Sequence, residues 1–444
     1  MTKTQDLTSG NEIKSILWFA FPILIGNVFQ QLYNVVDTAV IGNVLGDNAL
    51  AAVGASGPIY TLVIWLAVGF TSGFSVILAR LFGANDERNM KRSVSLIYVL
   101  TIIIAILLSV VSVIALPTIL TLLHTPKAIF HQTYTYLIII LISATITIFY
   151  NMLSAILRAI GNSKIPLYFL IVSSLANVVL DILFVKYLHI GIAGAAYATV
   201  IAQFLSVILC LIYIYKYCPL LKFEREYLEW DKTLIKELFF MGLSMGLMYV
   251  AVSIGSVALQ GAVNSLGEDT IAAHTAARKI NDIFMLPLGT LSSAASTFAS
   301  QNLGAGKLNR IKKGINRTIG IAMAWSLVST AVCYLFGRFM LEALTGSKSA
   351  IVIDTALQYV KINIPFFVIL SVLLVLRSSL QGLGRKIVSI CGSVIELLFK
   401  FGAVGIITKQ LGYLGVCILE PIIWCVCATM VFVDYMLFLH QQKK

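Results

Sequence analysis

Long apolar segments follow one another along the whole chain, separated by short polar turns. Each is longer than the ~20 residues with which a helix crosses a bilayer, so the pattern predicts twelve transmembrane helices. Pro58, which follows Gly54 and Gly57, predicts a break in the second of them. The predicted spans are 13–42, 49–84, 93–123, 130–158, 164–186, 191–217, 232–264, 270–303, 313–345, 350–380, 386–408 and 411–440.

The composition indicates an all-α integral membrane protein with little mass outside the bilayer. Of its 444 residues, 59% are hydrophobic and only 12% are charged, whereas soluble domains have about 25% charged residues. The seven cysteines show no CxxC or metal-ligand spacing and are interpreted as apolar packing residues. No phosphate-binding loop or HExxH motif occurs, so an enzyme is not predicted.

Lysine and arginine are distributed unequally between the two sets of loops. With the N-terminus in the cytoplasm, 23 of the 32 lie at the inner ends of the spans and 5 at the outer ends. The positive-inside rule therefore predicts a multi-pass protein of the cell (plasma) membrane with both termini cytoplasmic. The same rule explains the net charge of +12 without a nucleic-acid partner.

The chain repeats itself with an offset of 221 residues. NVLGDNALAA at 43–52 returns as NSLGEDTIAA at 264–273, and ARLFGAND at 79–86 aligns with SQNLGAGK at 300–307. Because six spans return the chain to the same side, two parallel six-helix repeats are predicted, and such pairs usually enclose a site near the midplane. The predicted domains are an N-lobe at 1–216, a cytoplasmic linker at 217–231 and a C-lobe at 232–444.

The first span carries a stripe of polar residues. Asn27, Gln30, Asn34 and Asp37 are spaced by three, four and three residues and so share one helical face. An aspartate inside the membrane costs ~3 kcal/mol on insertion scales, which predicts that this face lies against a cavity or a partner. The alternative is that the amides only hold neighbouring helices together. The predicted substrate cavity comprises Gln30, Tyr33, Asn34 and Asp37, with a helix kink at Pro22.

Spans five and six place further oxygen-bearing residues at a depth similar to that of Asp37. Asn177 and Asp181 are four residues apart on one helix, and Ala195 and Thr199 are four apart on the next. Carboxylate, amide, hydroxyl and carbonyl oxygens suit a hard cation, and two neighbouring carboxylates can trap a proton. The cluster therefore predicts coupling to Na⁺ or H⁺. The Na⁺ ligands would be Asp37, Asn177, Asp181 and Thr199. In the alternative, Asp181 only joins span five to span six.

The second half of the chain has different charges. Arg278 and Asp282 are four residues apart, as are Glu396 and Lys400, and both pairs are predicted to be ion pairs within the membrane. Glu420 has no partner nearby in the sequence. A structural role is therefore expected for the two pairs, and Glu420 is left without a predicted role.

Several of these stretches together resemble the multidrug and toxic compound extrusion (MATE) family, in its DinF-like branch. The similar stretches are QQLYNVVDTAVIGNVLG at 30–46, NSLGEDTIAAH at 264–274, LANVVLD at 175–181 and GAAYAT at 194–199. The resemblance implies a V-shaped, outward-open MATE fold of two lobes. It further implies that the first helix is kinked at Pro22. The cation site that it implies for the N-lobe comprises Asp37, Asn177, Asp181, Ala195 and Thr199.

The sequence thus predicts a secondary active multidrug efflux antiporter. The resemblance implies export of amphipathic, often cationic compounds in exchange for Na⁺ or H⁺. We expect no cofactor beyond this coupling ion, drug-like small molecules and membrane lipid as partners, no nucleic acid, and a monomer. The alternative is a lipid-linked saccharide flippase of the same wider superfamily, in which cationic residues would line the cavity and bind pyrophosphate.

Overall fold

The computed structural model describes residues 5–123, 125–345 and 349–441, with the side chains of 403–405 left aside. Within these ranges the chain is almost entirely helical and contains no β-strand. The α-helices are α1 (Glu12–Leu45), α2 (Asp47–Gly83), α3 (Glu87–Leu122), α4 (Lys127–Ile142), α5 (Ala144–Ala159), α6 (Lys164–Asp181), α7 (Ile192–Tyr217), α8 (Lys232–Asn264), α9 (Glu268–Gly304), α10 (Leu308–Thr345), α11 (Ala350–Asn363), α12 (Phe367–Gly382), α13 (Lys386–Leu411) and α14 (Tyr413–Gln441).

The helices account for the predicted spans, with two of them interrupted. In the described part of the chain, ten helices are long and apolar enough to cross a membrane, or eleven if α4 and α5 form one bent span. These two helices meet at an angle of 46° and together make the predicted fourth span. The predicted tenth span consists of α11, a 3-10 turn at Ile364–Phe366 and α12. The predicted eleventh span is the 26-residue helix α13, which is not among these ten or eleven helices.

Pro58 does not interrupt the second span. Helix α2 runs from Asp47 to Gly83 with Pro58 inside it, so the predicted break is wrong. A proline removes only its own hydrogen bond, and neighbouring helices in a membrane protein commonly compensate for the loss. Pro22 also lies inside a continuous helix, α1.

The internal repeat appears in the backbone itself. Helices α2 and α9 are both 37 residues long, and they begin and end at the offset of 221 predicted from the sequence. The residues before them, Gly46 and Gly267, have φ angles of 81° and 98°. Gly191 and Gly412, which precede α7 and α14 at the same offset, have φ angles of 74° and 56°. Glycine adopts this left-handed conformation without the steric cost of a Cβ atom, so the same turn chemistry starts the corresponding helices of both repeats.

The described chain forms two compact units. The N-terminal unit contains Phe21–Gly246 together with Gln5 and Asp6, and the C-terminal unit contains Leu7–Ala20 together with the chain from Leu247 onward. Helix α1 therefore begins in the C-terminal unit, and α8 begins in the N-terminal unit. Each repeat thus contributes the start of its first helix to the other repeat's compact unit.

A pair of glycine motifs explains why the start of α8 belongs to the N-terminal unit. Gly69 and Gly73 of α2 lie against Gly246 and Gly242 of α8. A Cβ atom added to Gly69 would lie 2.2 Å from the Gly246 Cα, and one added to Gly73 would lie 2.5 Å from the Gly242 Cα. Glycines spaced by four residues let two membrane helices approach at backbone distance, where van der Waals contact and not the hydrophobic effect holds them together.

Specific hydrogen bonds hold the start of the chain in the C-terminal unit. Leu7 is fully buried, and its amide donates to Gln301 Oε1 at 3.2 Å. Its carbonyl accepts from Asn302 Nδ2 at 3.1 Å, and Arg310 donates to the carbonyls of Leu7 and Ser9 at 3.2 and 2.6 Å. These side chains satisfy the backbone polar groups of a non-helical segment in which Leu7 is buried.

The largest buried cluster of the N-terminal unit lies among α2, α3, α5 and α7. Phe74, Leu96, Leu157 and Cys210 are fully buried there. Elsewhere on the surface large apolar side chains remain exposed, Ile114 being 74% accessible. This exposure suits helices whose outer faces contact lipid instead of water.

Candidate cation-coupling site

Asp37 lies on the face of α1 that is directed toward the protein. Gly26 and Ile41 share this face and are buried, and Asp37 itself is 9% exposed. Gln30 and Asn34 lie between them on the same face but are exposed. Because their neighbours on the face are buried, these two amides border open space on the protein side of the helix.

The predicted cavity residues separate into distinct environments. Gln30 lines a cavity of about 100 Å³ between α1 and helices α5 and α6, whereas Tyr33 and Asp37 belong to a polar cluster farther along α1. Asn34 is exposed between them. Pro22 also lines this cavity, and its other polar side chains are Asn27, Tyr150, Asn151, Ser154, Arg158 and Ser163.

The central feature of the cluster is a pair of carboxyl groups. Asp37 of α1 and Asp181, the last residue of α6, are in hydrogen-bonding contact, and Asp181 is fully buried. The Oδ1 atom of each is buried and accepts no hydrogen bond from any donor of the described residues. Two carboxylates this close repel each other strongly when both are ionised, so a shared proton or a bound cation must compensate them.

Asn177 and Thr199 complete the cluster from α6 and α7. The Asn177 side chain is oriented so that Nδ2 donates to Asp181 Oδ2 at 2.7 Å and Oδ1 accepts from the backbone N–H of Thr199 at 3.0 Å. The Thr199 hydroxyl donates to the carbonyl of Ala195 at 3.1 Å. The structure therefore brings together all five residues of the predicted site, Ala195 through its backbone.

The local backbone at Asp181 is unusual. Helix α6 ends at Asp181 and continues as a π-helix, Ile182–Tyr187. The start of α7 packs tightly against this segment, since a Cβ atom added to Gly194 would lie 3.1 Å from the Phe184 Cβ. A π-helical turn shifts the register of the side chains and is frequent at functional sites.

Three tyrosines surround the carboxyl pair: Tyr33, which the sequence placed in the predicted cavity, and Tyr60 and Tyr136, which it did not single out. Tyr33 of α1 lies close to Thr199, Asp37 and Asp181, and Tyr136 of α4 lies close to Asp37, Asp181, Tyr33 and also Tyr60 of α2. The sequence feature that could have identified them is an isolated tyrosine within an apolar span, because its hydroxyl needs a hydrogen-bond partner inside the membrane.

The C-terminal unit contains a different set of charges. The Arg278 side chain pairs with Glu420, at 3.0 Å, and not with Asp282, so the predicted Arg278–Asp282 pair is wrong. The predicted Lys400–Glu396 pair is confirmed, at 3.0 Å. Sequence spacing missed the Glu420 partner because α9 and α14 meet only in the tertiary structure. No acid replaces Asp37 here, since the residue 221 positions later is Ala258.

The family of the chain follows from comparison with known proteins. The MatE family model matches residues 22–183 and 244–402, which lie one in each repeat. The chain belongs to the MatE family. The predicted membership in the MATE transporters is thereby confirmed, whereas the DinF-like branch stays a prediction.

Relatives described as multidrug resistance or multidrug export proteins match three quarters or more of the chain. It is 26% identical over 416 residues to the probable multidrug resistance protein YpnP of Bacillus subtilis, covering 93% of this chain and 92% of that protein. It is 29% identical over 353 residues to YoeA of the same organism, a probable multidrug resistance protein, covering 77% and 76%. The multidrug export protein MepA of Staphylococcus haemolyticus is 22% identical over 407 residues, covering 90% of each chain.

Solved structures show the same fold. An outward-facing MATE family transporter of the MOP superfamily superimposes with a TM-score of 0.93 at 24% identity, over 100% of this chain and 99% of that one. A MATE structure described as the bent conformation also gives 0.93, at 23% identity and the same coverage. The predicted all-α MATE fold is thus confirmed, and the protein is a multi-pass membrane transporter of a multidrug resistance family.

Proposed function

We propose that this MATE protein is a secondary active antiporter that exports amphipathic, often cationic compounds in exchange for Na⁺ or H⁺. The observation that carries the proposal is the buried Asp37–Asp181 pair, whose charge no lysine or arginine of the described residues neutralises. The relatives described as multidrug resistance proteins support drug-like molecules as the exported class.

The coupling ion is a transported substrate that supplies the missing positive charge. Two ionised carboxylates 4 Å apart repel each other by ~4 kcal/mol at an effective dielectric constant of ~20. Na⁺ would be held by the oxygens of Asp37, Asn177, Asp181 and Thr199, while H⁺ would be shared between the two carboxyl groups. A ligand shifts a conformational equilibrium only if it binds one state better, so relief of this repulsion in one state can drive the change.

Pro22 provides a place where α1 can bend. The compact units divide between Ala20 and Phe21, immediately before this proline. A proline leaves the carbonyl four residues earlier without its helical partner, which weakens the helix locally. In the proposed cycle, neutralising Asp37 and Asp181 lets α1 bend there, so that the N-lobe cavity shrinks and the drug is released outward.

The remaining predictions form part of the same proposal. The cation site belongs to an N-lobe (1–216) joined by a cytoplasmic linker (217–231) to a C-lobe (232–444). Both termini lie in the cytoplasm, and the protein acts as a monomer in the cell membrane. The charge asymmetry of the loops supports the orientation.

A lipid-linked saccharide flippase is the second candidate function. The basic residues Arg278 and Lys279 line a cavity of the C-terminal unit, and a flippase needs cations to bind pyrophosphate. The carboxyl pair Asp37–Asp181 of the N-terminal unit has no evident use in such a protein, which is why the antiporter is preferred.

Efflux from drug-loaded proteoliposomes tests the proposal. One series imposes a sodium gradient at symmetric pH, and a second imposes a pH gradient without sodium. Export of a cationic dye under either gradient, lost in Asp37→Asn, is the expected result. Export that is independent of both gradients would refute ion coupling, and export of a lipid-linked saccharide alone would favour the flippase.

A further inference from the structure

The C-terminal unit contains a cavity that the cation site does not use. Its volume is about 300 Å³, and it lies between α8 and α9. This is the lower end of the size range of small-molecule sites, enough for one end of a drug-sized compound. Most of the residues that line it have charged or polar side chains, among them Gln260, His274, Arg278, Lys279 and Asp282.

The ionised residues behind this cavity form a chain of alternating charge. Arg278 pairs with Glu420 at 3.0 Å, Glu420 with Lys400 at 3.7 Å, and Lys400 with Glu396 at 3.0 Å. Glu396 in turn lies 3.8 Å from Arg377. The chain therefore begins and ends with a cation. Together with Lys279 and Asp282, which also line the cavity, the set contains four cations and three carboxylates.

The local sequence makes room for this arrangement. Gly255 of α8 lies beside the stem of Lys400, and a Cβ atom added there would come within 2.6 Å of the Lys400 Cδ. In the first repeat, the residue 221 positions earlier is Asn34, on the polar face of α1. The first repeat thus has an amide side chain at the position where the second repeat has the glycine that admits the lysine stem.

Arg278 is held in place while part of its guanidinium stays available. Its Nη1 donates to both oxygens of Glu420, at 3.1 and 3.0 Å, and to the Tyr359 hydroxyl at 3.4 Å. Its Nη2 and Nε donate to no residue in the described ranges, and the side chain is 32% exposed. A guanidinium fixed on one side and open on the other can bind a carboxylate or phosphate through two parallel hydrogen bonds.

Aromatic rings fix the cavity wall next to this group. The His274 ring packs edge-on against Tyr359, with ring centroids 4.9 Å apart, and its Nδ1 lies 3.1 Å from the Tyr413 hydroxyl. Tyr359 also donates to Glu420 at 2.7 Å. The ionic and aromatic contacts therefore hold Arg278 in one orientation before any ligand arrives, which lowers the entropy lost on binding.

We propose that this cavity is a subsite for the anionic group of an amphipathic substrate, a carboxylate or a phosphate, bound by Arg278 and Lys279. The inference rests on the proposed efflux function and narrows it, because it adds compounds with an acidic group to the exported class. An anion bound by Arg278 and Lys279 balances the one positive charge by which the cations of this set exceed the carboxylates.

Two rhodamines that differ by a single group provide the probe. Rhodamine 110 is a free carboxylic acid, and rhodamine 123 is its methyl ester, so the pair isolates the anionic group. Binding of each dye to the full-length protein in phosphatidylcholine nanodiscs is measured by fluorescence polarisation. The parent protein is expected to bind the acid about tenfold more tightly than the ester, as for a charge-assisted contact with a cation.

Two variants remove the cations in different ways. Lys279→Gln removes an exposed side chain that takes part in no ion pair of the described residues, and the double variant Arg278→Gln with Glu420→Gln leaves no unpaired buried charge. Both are expected to weaken binding of the acid about tenfold and to leave ester binding within about threefold. Lys361→Gln, an exposed position elsewhere in the C-terminal unit, is the matched control and should keep the preference.

The subsite is overturned if the parent binds both dyes equally, or if the preference survives both variants. Replacing part of the phosphatidylcholine by phosphatidylglycerol separates the possible sources of the anion. If phosphatidylglycerol displaces the acid from the parent but not from Lys279→Gln, the natural anion is a lipid phosphate. If phosphatidylglycerol leaves binding of the acid unchanged, the natural anion is a soluble organic anion. Both results support an anionic subsite.

Export of rhodamine 123 tests the antiporter separately, because the ester lacks the anionic group. If the ester is exported but the acid preference is absent, only the subsite fails. If the ester is not exported under any gradient while binding of the acid depends on Lys279, the antiporter proposal fails and the subsite stands.

Discussion

Replacing Asp37 by asparagine should make the protein more stable and at the same time inactive. The substitution keeps the shape and hydrogen bonding of the side chain but removes one of the two charges of the buried pair. At an effective dielectric constant of ~20, the repulsion relieved is at most ~4 kcal/mol at 4 Å, less whatever protonation already relieves in the parent. The variant should therefore melt at a higher temperature than the parent at pH 8 without sodium.

The dependence of stability on sodium and pH should change as well. In the parent, Na⁺ or H⁺ binds to the folded pair and not to the unfolded chain, so added sodium or acidification from pH 8 to 6 should raise the melting temperature. Sodium at 100 times its dissociation constant would contribute about 2.7 kcal/mol. In Asp37→Asn both responses should become much smaller, since Asp181 is still buried but no longer has a like charge beside it.

Thermal unfolding of the purified protein in detergent measures these effects, alongside drug efflux from proteoliposomes. Asp354→Asn is the control, because Asp354 is an exposed residue that pairs with Arg338 at the surface, where ion pairs contribute little. It should keep both responses. If Asp37→Asn responded to sodium and acid like the parent, or exported drug at the parental rate, the role given to the pair would be refuted.

Other parts of the structure give further predictions. Cysteines placed at Asp47 and Glu268, which start corresponding helices, should both react with an impermeant reagent from outside; labelling from opposite sides would contradict the parallel repeat. Gly73→Ala brings a Cβ within 2.5 Å of the α8 backbone and should lower the free energy of unfolding by ~1–3 kcal/mol. Gly54→Ala places its Cβ in open space and should be neutral or slightly stabilising. Equal melting temperatures of these two variants would disprove the close packing. Asn177→Ala should strongly raise the sodium concentration needed for transport if Na⁺ is the coupling ion, and a mild effect on efflux driven by pH alone would indicate H⁺.

The sequence alone determined the membrane architecture and singled out the residues of the candidate cation site. Helices in a bilayer must satisfy their own backbone hydrogen bonds, so apolar length translates directly into spans. An aspartate in such a span is costly enough to mark Asp37 and Asp181 without any structure. The internal repeat could also be detected in the sequence, because Gly46 and Gly267 occupy a turn conformation that only glycine adopts easily.

Local spacing failed where partners come from distant helices. Arg278 and Asp282 are neighbours on one helical face, yet the arginine pairs with Glu420, which lies 142 residues away. A buried charge is stabilised by whichever opposite charge the packing brings to it, and sequence distance does not restrict that choice.

The tertiary structure also decided features to which no periodicity points. The contact of Gly69 with Gly246 is set by the crossing of two helices, and the tyrosines around Asp37 come from three different helices. One side of the Arg278 guanidinium stays open because, in the described part of the chain, only its Nη1 atom donates hydrogen bonds. Apolar length and periodicity specify which helices form and which face of each is polar, whereas the partners of each face depend on how the helices pack, and packing is a property of the whole chain.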